Sequence, residues 1–397
     1  MIVGAGVSEI VFPQEMFPEE GFSGEANDSI HARVLVINNN IKVAIVSLEL
    51  VNIPEELIEN YKQVLFEKTN TPVNNVWIHA THSITTPHMP ASIAARDMYM
   101  TSIAAAVARA AQQAADSCQA ATMGVGVGYC DVNANRDIEL NGKWYHGLGS
   151  KRASNKTMTI LRFDAMNGDP IGFLISYGVK PACIDNIGMD INTRKISADI
   201  PGAACTMIEE KMGAPALFCM SAAGDQIPKE IANYFTLDTN GEIIFFEHTV
   251  AEGIDMMERQ GIEMGNSALR IAKGIVCDIA DPAIAAAAAS FTWPGKAGDS
   301  EVSIVVECIH IGDNVAFVGL KPEMNCVTEF ELLGISPFEH TLIMSFLNGS
   351  QKYMPEAKAY ELETWEFKRA GMAVGCAEEF VRVASGLLKS LHESCLS

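Results

Sequence analysis

Residues 195–228 read KISADIPGAACTMIEEKMGAPALFCMSAAGDQIP, and this stretch decides the fold. Pro201–Gly213 is rich in helix formers and closes on a glycine, which predicts a helix with a left-handed C-cap. The apolar run that starts at Ala214 predicts a strand ending in the turn SAAGD. A helix feeding a buried strand, with polar residues where the strand stops, is the building unit of α/β proteins, and ligands collect at such strand ends.

Working outward, ARVLVINNNIKVAIVSL (residues 32–48) predicts a β-hairpin on an asparagine turn. The segments at 157–179, around NGD, and at 303–320, around GD, predict two more hairpins. EELIENYKQVLFEKT after Pro54 predicts a helix with proline at its N-terminus, and NNVWIHA a short strand. Helices are also predicted over residues 91–117 and 370–391, and over 251–279 with one or more breaks. Hairpins mixed with crossover helices indicate an α/β (mixed α+β) protein, its mixed sheets flanked by helices in a single large domain over residues 1–397. If that domain divides, its two lobes meet near residues 200–230. Repeats and linker-like runs are absent from the sequence.

Five polar clusters follow apolar strands: ATHSITTPH, GVKPACIDN, SAAGDQIPKE, LKPEMN and LNGSQKYMP. If these loops converge, they bring together His82, His88, Lys180, Asp225, Lys321, Glu323 and Tyr353. Each has a plain alternative. His79 precedes His82 but lies within the strand, where a hydrogen-bonded core histidine is the expectation. His88 is a candidate replacement ligand or substrate contact, or an exposed loop residue. His146, in GKWYHGLGS, can line a pocket, and Gln226 can contact substrate. Asp225 can cap a helix beginning near Pro228, and Asp199 can cap its own helix. Arg136 can hold a carboxylate through its planar fork or form a salt bridge.

Composition excludes several classes. A net charge of −21 argues against nucleic acid and against adsorption on anionic membranes. No segment approaches the run of about eighteen apolar residues that crosses a bilayer. The acidic N-terminal stretch predicts neither a secretory signal nor a transit peptide, so a cytoplasmic location is expected. The 10 cysteines are scattered without a C-x-x-C pair, which fits free thiols in a reducing compartment.

The motifs together resemble the neutral ceramidase family. ATHSITTP is similar to its ATHTHSGP loop. KISADIPGAAC, through to GDQIP, resembles its Ser-Ala-Asp-Phe-Pro-Gly segment, helix, strand and Gly-Asp turn. GLKPEMNCV and LNGSQKYMPEAKAY match its Pro-Gly-Glu and NGY-x-x-Y-x-P regions, and GAGVSEIVFP, VSLEL and NANRDI also fit. The resemblance covers the catalytic region only, without the C-terminal immunoglobulin-like domain. It implies that fold and a zinc amidase site, with zinc as candidate cofactor and His82, Glu323 and Tyr353 at metal positions. The second metal histidine falls on Lys180, a further polar histidine on Ile84, and the catalytic serine on Ile227.

A lysine ammonium beside a divalent cation is repelled, and isoleucine offers no nucleophile. The expectation is therefore a hydrolase of a C–N or C–O bond in a small, soluble, anionic substrate rather than a ceramidase. Lys180, Tyr353 and Asp225 are its catalytic candidates, and Arg136, His88, His146 and Gln226 its substrate contacts. The alternatives are a ligand-binding protein without catalysis and a metal-free enzyme using Lys180. A small-molecule substrate is the expected partner, with self-association into a homo-oligomer as the quaternary option.

Overall fold

The asparagine-turn hairpin forms because its β-branched residues bury alternately on both faces of a sheet. In the computed structural model, which describes residues 1–17, 21–185 and 194–395, this hairpin lies toward one end of an eight-stranded sheet, one strand in from the edge. The strands are β1 (Ile2–Glu9), β2 (His31–Asn38), β3 (Lys42–Leu48), β4 (Val76–Ala80), β5 (Gln119–Tyr129), β6 (Thr157–Ala165), β7 (Pro170–Tyr177) and β8 (Ala216–Met220). Their order is β8–β7–β6–β5–β1–β2–β3–β4, with the outermost pair at each end parallel and the rest antiparallel. A second sheet holds β9 (Ile284–Trp293), β10 (Val302–Ile311), β11 (Val315–Gly319) and β12 (His340–Met344) in that order, with β11 and β12 parallel.

Alternation along the strands explains the layers. Val34, Val36, Val46 and Ile78 face one way, toward helices α1 (Glu55–Thr69), α2 (Ile93–Asp116), α3 (Asp199–Met212) and α4 (Val250–Gly274). Leu35, Ile37, Ile45 and Trp77 face the other way and pack on Ile309, Phe317 and Leu342 of the second sheet. Trp77 and Phe317 meet edge to face, with ring centroids 6.5 Å apart. The far side of the second sheet is covered by α5 (Cys326–Ile335) and, after short helices α6 (Ala357–Leu362) and α7 (Trp365–Arg369), by α8 (Cys376–Cys395). The result is four layers, helix–sheet–sheet–helix. Residues 200–230 run through α3 and β8 along one edge of the large sheet.

Most local expectations hold. Gly213 caps α3 at φ 76°, and Ser92 caps α2 by accepting from the Ala95 amide. Two expectations are corrected. The 251–279 segment is not broken over its helical part: α4 runs unbroken from Val250 to Gly274. Its glycines permit close approach instead, since a Cβ on Gly261 would lie 2.8 Å from the Ala203 Cβ of α3. Nor does a helix begin near Pro228. Gln226–Pro228 is a short strand paired with Asn133–Asn135, and Asp225 accepts from the Cys326 amide at the start of α5. No helix among the described residues is long and apolar enough to cross a membrane.

Candidate functional site

Five strands end on the same side of the two sheets, and the loops that follow carry the site. β4 leads to His82, β7 to Lys180, β8 to Asp225, β11 to Glu323, and β12 to Phe346 and Tyr353. Loops from the two sheets are pinned together. The Asn348 amide donates to the Ile78 carbonyl (2.7 Å), and Ser345 donates to that of Met220 (3.1 Å). The backbone is strained where they meet: His82, Phe346 and Asn348 have φ of 63°, 54° and 52°, values that β-carbon-bearing residues adopt at a cost. The His82 and Phe346 rings stack at 4.2 Å, so the packing that fixes the strain also fixes the imidazole.

The four positions that the resemblance assigns to a metal form one continuous chain of contacts. His82 Nδ1 donates to the Val51 carbonyl (2.6 Å), and its Nε2 faces Glu323 Oε1 at 3.2 Å. Lys180 Nζ lies 2.5 Å from Glu323 Oε2 and donates to Tyr353 Oη at 2.6 Å. Burial would raise the Glu323 carboxyl, but Lys180 and His82 hold it down at about 2. Arg136 is buried against Glu366, with Nε 2.7 Å from Oε1, and lies over the Tyr353 ring. Burial, with Arg136 and Lys180 nearby, pushes His146 down to about 3, so the ring is neutral at physiological pH. Its Nε2 is buried and has no hydrogen-bond partner among the described residues.

These side chains do not fit a divalent cation. The lysine ammonium sits on Glu323 Oε2 and puts a positive charge among these side chains, which repels a divalent cation. Among the described residues no group of three His, Cys, Asp or Glu side chains is arranged to hold a metal.

His82, Arg136, His146, Lys180 and Tyr353 line one pocket of about 220 Å³, as do Ile84 and Ile227. Other expected residues lie elsewhere. Asp225 is buried beneath, accepting from Asn135 and Cys326, and burial pushes it up to about 7. Gln226 is buried too and donates to the Ala153 carbonyl, while its own carbonyl supports the Lys180 amide. His88 is exposed and lines none of the cavities described here. Lys321 pairs with Glu55. His79 is a core histidine, with Nδ1 on the Ser345 carbonyl (2.5 Å) and Nε2 accepting from the Met220 amide (3.0 Å). Asp199 accepts from the Ile200 and Cys183 amides, which ties the start of α3 to the loop after Lys180.

Sequence reading missed Trp365, Glu366 and Arg369 of α7, and Asp185. Trp365, Arg369 and Asp185 line the pocket, and Glu366 holds Arg136 from behind. The aromatic and acidic character of ELETWEFKR was the only signal, and it carries no spacing rule.

No protein-family model matches the chain, and no curated protein matches it in sequence. Among solved structures it is similar to neutral ceramidase from Pseudomonas aeruginosa, with a TM-score of 0.73 and 14% identity over 99% of this chain and 74% of that one. A structure described as ceramidase complexed with C2 gives a TM-score of 0.75 and 14% identity, over 99% of this chain and 75% of that one. The chain has the neutral ceramidase fold. Identity this low speaks to the fold alone.

Proposed function

We propose that the chain is a hydrolase of a C–N or C–O bond in a small anionic substrate, at a ceramidase-type site where the Lys180 ammonium stands in place of a metal ion. The observation that supports this is the run of contacts from His82 through Glu323 and Lys180 to Tyr353, beside Arg136 in one pocket. Because the phenol oxygen accepts from Lys180, its own proton is free to be donated to the carbonyl oxygen of a bound amide or ester. A donor backed by a fixed cation stabilises the charge that builds on that oxygen in the transition state. Arg136, its guanidinium fixed by Glu366, suits a substrate carboxylate. Water is the nucleophile in this scheme: its oxygen bonds to the carbonyl carbon, the C–N or C–O bond breaks, and the proton the water loses goes to the departing nitrogen or oxygen.

The inner cavity, of about 220 Å³, holds about seven waters at roughly 30 Å³ each, so the part of the substrate that lies beside Lys180 is small. A second reading, a ligand-binding protein without catalysis, draws support from Ile84 and Ile227. They line the pocket with apolar groups where the resemblance places reactive ones.

The test is a turnover screen of the purified protein on N-acyl amino acids, carboxylate-bearing esters and lactones, with metal content measured by plasma mass spectrometry. Hydrolysis that survives chelation is expected. Binding of these compounds without turnover would favour the second reading. Stoichiometric zinc whose removal abolishes turnover would overturn the place given to Lys180.

A further inference from the structure

A second cavity, of about 650 Å³, adjoins the first and shares His82, Tyr353 and Arg369 with it. Its other charged lining residues are Lys352, Lys368 and Glu323. The chain has 49 acidic and 28 basic side chains, so an unselected stretch of surface would be mostly acidic. These two cavities are the reverse. Five permanent cations line them, Arg136, Lys180, Lys352, Lys368 and Arg369, against two carboxylates, Asp185 and Glu323. Lys180 and Glu323 pair with each other, Arg136 pairs with Glu366 behind the pocket, and Asp185 lies 3.9 Å from Arg194, so the cations left without a carboxylate among the described residues are Lys352, Lys368 and Arg369.

How the outer cations are held matters more than their number. Arg369 Cζ lies 4.8 Å from the centroid of the Trp365 ring. Lys368 Nζ donates to the Trp144 carbonyl (3.0 Å) and lies 5.7 Å from the centroid of the Tyr145 ring. Among the described residues, none of Lys352, Lys368 and Arg369 has a carboxylate within ion-pair distance. An aromatic face or a carbonyl steadies a cation without cancelling its charge, and most of its N–H donors stay available. The inner pocket also keeps the buried, unpartnered His146 Nε2, which awaits a polar group from a ligand.

We propose that the ligand of this site is a dianion, with one carboxylate bound between Arg136 and Lys180 in the inner cavity. Its second anionic group, a carboxylate or a phosphate, meets Lys352, Lys368 and Arg369 in the outer cavity. The inference rests on the anionic substrate proposed above and extends it from one charge to two. An exposed cation contributes little alone, but three converging on one doubly charged group act together and raise the capture rate as well as the affinity.

The test is equilibrium binding by calorimetry, which does not depend on turnover. The ligands are dicarboxylates from malonate to adipate, monocarboxylates of matching length, and 3-phosphonopropionate. The best dianion is expected to bind about tenfold more tightly than its monoanionic counterpart, equivalent to about 1.4 kcal/mol, with the gap closing at high salt. Lys352→Gln, Lys368→Gln and Arg369→Gln combined should erase the gap between each dianion and its matched monoanion. All three side chains are exposed, and an unchanged melting temperature verifies the fold of the variant. A triple variant that still prefers the dianion, or equal binding of mono- and dianions by wild type, overturns the inference. Dianion preference with no bond cleaved in any compound leaves it standing and removes the hydrolase reading instead. Preference for the phosphonate over every dicarboxylate identifies the outer group as a phosphate.

Discussion

Lys180→His tests whether the lysine stands in a metal's position. The ammonium is 2.5 Å from Glu323 Oε2, and both side chains are about 5% exposed. Removing the cation leaves a buried carboxylate with His82 alone, and breaking a buried pair in this way costs about 3–5 kcal/mol. The depression of Glu323 from its ordinary 4.5 to about 2 corresponds to about 3 kcal/mol, part of it owed to His82, so the low end of that range applies. With 397 residues and about 2.1 cal/mol/K of unfolding entropy per residue, the melting point should fall by about 4 °C in metal-free buffer. The new imidazole joins His82, Glu323 and Tyr353 as a donor set that suits zinc. At free zinc about a hundredfold above Kd the gain is about 2.7 kcal/mol, enough to recover most of the loss. The assay is a melting curve with chelator and with zinc, beside plasma mass spectrometry of the desalted protein. Wild type should show neither shift nor metal. If wild type takes up zinc as the variant does, or if the metal-free variant melts with wild type, the reasoning fails.

Other predictions follow from single contacts. Tyr353→Phe removes the proposed donor to the reacting oxygen and should lower kcat about 100-fold while KM changes little; a loss confined to KM would reassign Tyr353 to binding. Burial, with Glu366 beside it, pushes the Asp137 carboxyl up to about 9. A raised folded value means stabilisation that is whole below the ordinary 3.8 and disappears as pH rises through about 9. Denaturation midpoints of wild type should therefore fall across the window between 3.8 and about 9, and Asp137→Asn should flatten that fall; parallel curves would refute it. Gly261→Ala should destabilise by about 1–3 kcal/mol because its Cβ meets the α3 backbone region through Ala203. Gly386→Ala, with nothing within 4 Å, should stabilise by about 0.5–1 kcal/mol. Opposite signs in chemical denaturation are the readout.

What could be read from the sequence is what local chemistry encodes. His82, Lys180 and Glu323 follow an apolar strand by two to four residues and Tyr353 follows one by nine, so strand end and polar motif are visible in one window, and four such windows meet in one site. His88 shared the window of His82 and not its place, because the pocket-facing geometry belongs to the strained backbone at His82 and the Phe346 ring stacked on it. Glycines in α4 looked like breaks for a similar reason: a helix interior and a helix contact place opposite demands on the same residue, and only the neighbour, Ala203, decides between them.

Long-range pairing leaves no such mark. Glu366 fixes Arg136 across 230 positions, from a helix of 5 residues too short to show a period. The same helix supplies Trp365, Lys368 and Arg369, so one short element both backs the inner cation and lines the outer cavity. That coupling has a consequence for evolution of the site. Once lysine replaces a metal, the charge that organises the pocket is a fixed side chain on a buried carboxylate, and it can neither leave nor bring a bound water with it. In the proposed hydrolase, substrate polarisation has to come from the protein's own donors and cations, for which Tyr353, Arg136 and α7 are the candidates.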